Sequence, residues 1–343
     1  MIDFRYHLVS IVAVFLALAI GLVVGAQALA PAVTNGLNKV SVNEAKQIHM
    51  LYAHNTQLKQ QISADDAFAR AAEVGLLRGL LDGEHVVLVL APGADSSTVD
   101  GITAALQQAG AAVTGQVVLS AQFFDTGVVT EQQLQSIAKS LAALGVALPK
   151  SALEPQIAGQ QTAARFIAAA IVKKDGLPTL TEGQSQQILS GFGEAGFLQI
   201  KGVNGGTSMV GQATMAVVVS GSVQPPKTAG PFNLALVSLA GDLQEASKGA
   251  LLAGPIKGSG PRSAIELVNS GAAGIALTTV DNADTATGQI IVAQALRELL
   301  LHAKPAAYGV RQESVPSPAP SASATPSASP TSPKHPTRKK TAK

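Results

Sequence analysis

Between Leu8 and Ala30 the chain carries no charged side chain, and this stretch limits everything that can be built around it. As a helix it would extend about 34 Å, slightly more than a hydrocarbon core of about 30 Å. The run therefore predicts a transmembrane helix over residues 8–30, with Pro31 marking its stop. Two rival readings exist. Ala26-Gln27-Ala28 fits the small-x-small pattern of a cleaved signal peptide, but the apolar core exceeds the usual ~7–15 residues. A buried core helix can be this apolar, but rarely over such a length at an N-terminus. The uncleaved anchor is the reading taken. Arg5 and the terminal amine precede the span, partly offset by Asp3, and no charge follows it until Lys39. The positive-inside rule places residues 1–7 in the cytoplasm and the main domain outside, as a single-pass protein of the cell membrane.

Ala13, Ala17, Gly21 and Gly25 recur four apart on the span. Such a ladder of small residues lets two helix backbones pack closely, although an Ala-rich chain also makes ladders by composition. Residues 34–78 read as a helical stalk. In it Ile48, Leu51, Asn55, Leu58 and Ile62 follow an a–d–a–d–a spacing, which argues for a short coiled coil. Asn55 at an a position would favour a parallel pair in one register. An amphipathic helix packed on its own domain fits the same stripe.

The remaining 80–310 region suffices for one large domain or two lobes, with residues 145–160 as a candidate seam. Val86-Val87-Leu88-Val89-Leu90 has no polar alternation, as in a strand buried on both faces of a parallel sheet. Ser97-Thr98-Val99-Asp100 resembles a capping box, and Val99, Ile102, Leu106 and Ala109 stripe the helix after it. Helices are expected from about Thr130, over Gly159–Val172, from Thr181, from Pro261 and over Thr285–His302. Further strands are expected at Phe197–Ile200, Met215–Val219, Leu234–Leu239, Ala250–Ala253 and Gly274–Val280. Alternating strands and helices give an α/β class with a largely parallel sheet. From Ser314 to the end the chain turns to Ser, Pro, Ala and Thr with a basic terminus, which predicts a disordered tail.

Several chemistries are excluded or weakened. The chain has no cysteine, so it has no disulfide, thiolate metal site or cysteine nucleophile. Five of its cations lie in the last ten residues, leaving a body that is no nucleic-acid surface. The first β-α turn lacks G-x-G-x-x-G, the Gly254–Gly260 loop lacks the order that cradles phosphates, and there is no G-x-S-x-G elbow. Ser136-Ile137-Ala138-Lys139 matches an S-x-x-K tetrad without its S-D-N and K-T-G partners. Asp95, Asp242, Asp281 and Asp284 are expected at strand ends, where α/β proteins build polar pockets. Asp242 follows the expected Leu234–Leu239 strand, and Asp284 also suits a helix cap. His49, Met50 and His54 are the weak metal candidates. His49 and His54, five apart, do not share a helix face.

Asp3-Phe4-Arg5-Tyr6-His7-Leu8-Val9-Ser10 with Ala13–Gly21, and Thr279–Gln289 before the last helix, resemble the actinobacterial family of mycobacterial copper transport protein B. The resemblance runs to about Gly309 and omits the tail; between its two blocks it is one of layout. It implies a membrane-associated envelope protein of copper transport or homeostasis. Copper enters only through this resemblance; the residues themselves point to no cofactor, and no family metal ligand carries over. A single span without ionisable residues cannot enclose a pore alone. A second expectation is a dimeric envelope or septal scaffold that presents its α/β domain to cell-wall polymer or envelope proteins. A third is an extracytoplasmic enzyme, which the missing motifs disfavour.

Overall fold

A computed structural model describes residues 4–146, 154–202, 212–222, 224–225, 227–312 and 314–318. The chain divides after Ala67 into two compact units. The first is helical. Helix α1 (Phe4–Leu77) starts in it, and its Tyr6–Gln27 stretch is long and apolar enough to cross a membrane, with no part of that stretch buried by protein. The helix does not stop at Pro31, as the sequence suggested, but continues through it. A proline removes one N–H donor and crowds one carbonyl; the turns on either side keep their own bonds, so a long helix can carry one.

The second unit is built on one seven-stranded sheet. Its strands are β1 (His85–Leu90), β2 (Ala112–Leu119), β3 (Leu198–Lys201), β4 (Met215–Val219), β5 (Gly249–Ala253), β6 (Thr278–Val280) and β7 (Ala307–Tyr308). They lie in the order β3-β2-β1-β4-β5-β6-β7, all parallel except the edge strand β3. The single sheet answers the question of two lobes: residues 145–160 connect helices of one layer, with 147–153 outside the described residues.

The central strands show why their sequences lack polar alternation. Successive side chains point to opposite faces of a strand. Val87 and Val89 enter one core while Val86, Leu88 and Leu90 enter the other. Ala216 and Val218 divide in the same way from Met215, Val217 and Val219, and Ala250 and Leu252 from Leu251 and Ala253. Each fully buried valine or leucine contributes about 1.5–3 kcal/mol, so neither face tolerates a polar residue.

Helices cover both faces. One layer holds α3 (Val128–Leu141), α4 (Ala158–Ile171), α5 (Glu182–Glu194), α6 (Ala229–Ala246) and α7 (Ala264–Asn269). The other holds α2 (Ser96–Gln108), α8 (Ala286–Leu300) and the last turns of α1, through Ala69 and Leu77. The steps β4-α6-β5 and β6-α8-β7 run in the same direction across the sheet, with their helices on opposite faces. Their crossovers are therefore of opposite hand, and the right-handed rule holds for only one of them.

Local signals were partly misread. Leu234–Leu239 is not a strand but the middle of α6. An apolar run of six cannot separate a buried strand from a buried helix, and here Phe232, Leu236, Leu239, Ala240 and Leu243 recur at helical spacing into the core. The cap of α2 is Asp95 rather than Ser97: its carboxylate accepts from Thr98 N at 3.1 Å. Thr181 forms a capping box at the start of α5, with Gln184 returning to the Thr181 amide at 2.8 Å.

Candidate functional site

Chain order reverses between β1 and β4, and in open α/β sheets ligands bind outside the carboxyl ends of the strands at such a point. Here three loops meet there: Ala91–Asp95 after β1, Ser220–Ser222 after β4 and Gly254–Gly260 after β5. They close on one another through backbone. A Cβ on Gly221 would overlap the Pro92 carbonyl and Gly93, and one on Gly258 would overlap the Gly221 carbonyl. Glycine at both positions permits this close approach. Among the described residues the Ser220 hydroxyl, buried against Gly254, has no hydrogen-bond partner, and neither has the buried Asn282 Oδ1.

The four carboxylates expected at strand ends have different employments. Asp95 caps α2, and hydrogen bonds from the Ser97 hydroxyl and the Thr98 amide hold its carboxyl below the usual range. Asp284 accepts from Ile256 N at 2.9 Å and so fastens the β5 loop to the β6 loop. Asp281 is fully buried. Its Oδ1 accepts from Val310 N at 2.8 Å, and its Oδ2 from Ser314 Oγ at 2.6 Å and Arg311 N at 3.3 Å. The segment after β7 is wound over this carboxylate. A Cβ on Gly309, whose φ is 136°, would overlap it.

Asp242 is not at a strand end. It lies on α6 and faces α4, where its Oδ1 is 3.0 Å from Arg165 Nε. The Nε–H is not aimed at that oxygen, so the pair is a charge contact rather than a directed hydrogen bond. Arg165 Nη1 also reaches Glu245 Oε2 at 3.3 Å. Burial pushes the Asp242 carboxyl up to about 6, against the attraction of Arg165 and with the repulsion of Glu245. No local pattern marks Arg165, because its partner lies 77 positions away on another helix.

His49, Met50 and His54 are exposed on α1. Among the described residues no three histidine or carboxylate side chains are grouped to hold a metal ion. On the span, a Cβ added at Gly21 or Gly25 would meet nothing, and Ala13 and Ala17 are equally uncovered. Ile48, Leu51, Asn55, Leu58 and Ile62 are likewise exposed in a single chain.

Comparison with known proteins supplies what the site chemistry does not. The sequence profile described as "Copper transport outer membrane protein, MctB" matches residues 1–318. The chain belongs to the MctB family. The copper transporter MctB of Mycobacterium bovis is 29% identical over 303 residues, covering 88% of this chain and 93% of the relative. The same protein of Mycobacterium tuberculosis matches equally. That of Mycobacterium leprae is 29% identical over 313 residues, covering 90% and 96%. These MctB relatives are named as transporters, not as enzymes.

Proposed function

We propose that this chain is a single-span envelope protein of copper handling that works through its surfaces rather than through a resident pocket. The likeness to proteins named copper transporters supports the copper link. The observation that carries the anchored form is the strongly apolar Tyr6–Gln27 helix, covered by nothing among the described residues. Arg5 before the span favours a cytoplasmic N-terminus, which puts the α/β domain on the far side of the cell membrane. One such helix encloses no channel; a pore needs a closed barrel or a bundle of helices. Copper movement on this reading needs an assembly or a partner. The α/β domain meets envelope proteins or wall polymer through its outer face.

The test is a deletion strain challenged with copper and complemented three ways. The full chain should restore the wild-type response. So should a chain whose residues 8–27 are replaced by an unrelated apolar span, because the span serves as an anchor. A chain lacking residues 4–27 should fail while its α/β domain still accumulates. No change in copper response on deletion would refute the copper link, and full rescue by the anchorless chain would refute the anchored form.

A further inference from the structure

We propose that α1 between Ile48 and Ile62 binds a second copy of this chain as a parallel, in-register, two-stranded coil. The inference rests on the anchored reading above. Ile48, Leu51, Leu58 and Ile62 are 51%, 68%, 44% and 56% exposed, although each is a large apolar side chain. They fall at a, d, d and a, with Asn55 at the central a position. A helix face that repeats by three and four and is left uncovered is the surface a partner helix fills.

Two observations name the partner as a second copy, and a third bounds the seam. The first is Asn55. Its amide carries both donor and acceptor, so two copies satisfy one another when they meet at the same level, and each is left unpaired when the strands slip. The second is the span. It fixes the start of every copy in one membrane, so neighbouring stalks leave it in the same direction. The third is the way the seam ends. Counting heptads outward, the next d positions are Glu44 and Asp65, and both are exposed. In a parallel in-register pair each would face its own copy, and like charges at those levels confine pairing to the apolar stretch between them. Two heptads make a weak coil in water. Anchoring both strands in one membrane raises their effective concentration, so a short seam suffices.

The chain has no cysteine, which makes the test direct. Leu51→Cys, Leu58→Cys and Gln60→Cys are introduced singly in the full chain, and membranes are treated with a mild oxidant. Fractionation is scored on the same samples. Leu51→Cys and Leu58→Cys should each give a covalent dimer of twice the chain mass, and Gln60→Cys, on the outer face, about tenfold less. A mixture of differently tagged Leu51→Cys and Leu58→Cys chains should give almost no mixed dimer. Adding Ile48→Asp and Ile62→Asp should lower the cross-linked fraction about tenfold while the protein stays in the membrane. Predominant mixed dimers would mean an antiparallel pair and overturn the proposal. Cross-links to a chain of different mass, or equal cross-linking at all three positions, would also overturn it. Recovery of the chain in the soluble fraction would instead contradict the anchored reading, whichever cross-links form.

Discussion

The span at the start of α1 and the helix α6 are both rich in leucine and alanine, yet among the described residues nothing covers the one, while ten of the 18 residues of the other are buried. The difference is the cover, not the composition. α6 lies between the sheet and α4, so Leu236, Leu239 and Leu243 find protein on every apolar side. The span has no such layer, and lipid is the cover that its length fits. Apolarity alone therefore assigns neither element; length together with what surrounds it does.

The comparison can be broken by disturbing each cover in turn. Leu236→Ala removes a fully buried side chain from α6 and should destabilise the α/β unit by about 2–5 kcal/mol, read as a lower unfolding midpoint in denaturant. The same exchange at Leu16 should leave that midpoint unchanged. Leu16→Arg acts on the other cover: a charge near the centre of a span costs about 2.5–3.5 kcal/mol, so the membrane-bound fraction should drop with no change in the fold of the α/β unit. Asp281→Asn weakens the anchor for the segment after β7. It should cost about 1–3 kcal/mol and speed proteolysis after Tyr308 before global unfolding.

The smallest effect expected is a pH dependence at the α4–α6 contact. The Asp242 carboxyl titrates at about 6 folded, against 3.8 ordinarily, so between these values the folded chain holds a proton the unfolded chain has released. Stability from this group therefore falls as pH rises from about 4 to 6 and is level above that. Asp242→Asn should flatten this decline and raise stability near neutral pH by about 1–2 kcal/mol, after discounting for the partial exposure of the pair. An unchanged slope in calorimetry across that range would place the titration elsewhere.

What the sequence revealed follows the same division. The span and the strands β1 and β4 were legible because each is a long or strictly apolar run bounded by turns. α6 was misread because Asn233 and Gly230 break its helical pattern, leaving an apolar core of six that suits a strand equally. β7 left no signal, being two residues held by Asp281 from a distance of 27 positions. The candidate site was legible only as residue types. Asp95, Asp281 and Asp284 do stand at strand ends, but what each carboxylate accepts depends on loops brought together by the sheet order. That Gly221 and Gly258 let these loops meet backbone to backbone is a fact of three loops in space, which no local pattern carries.

The account rests on the span lying in lipid with the α/β domain beyond it. Gln132 is exposed on α3, and a single Gln132→Cys is the sole thiol of the chain. Its labelling in intact cells by a membrane-impermeant maleimide is the most direct test. Labelling equal to that after lysis, with the protein in the membrane fraction, is the predicted result; labelling only after lysis would contradict the account.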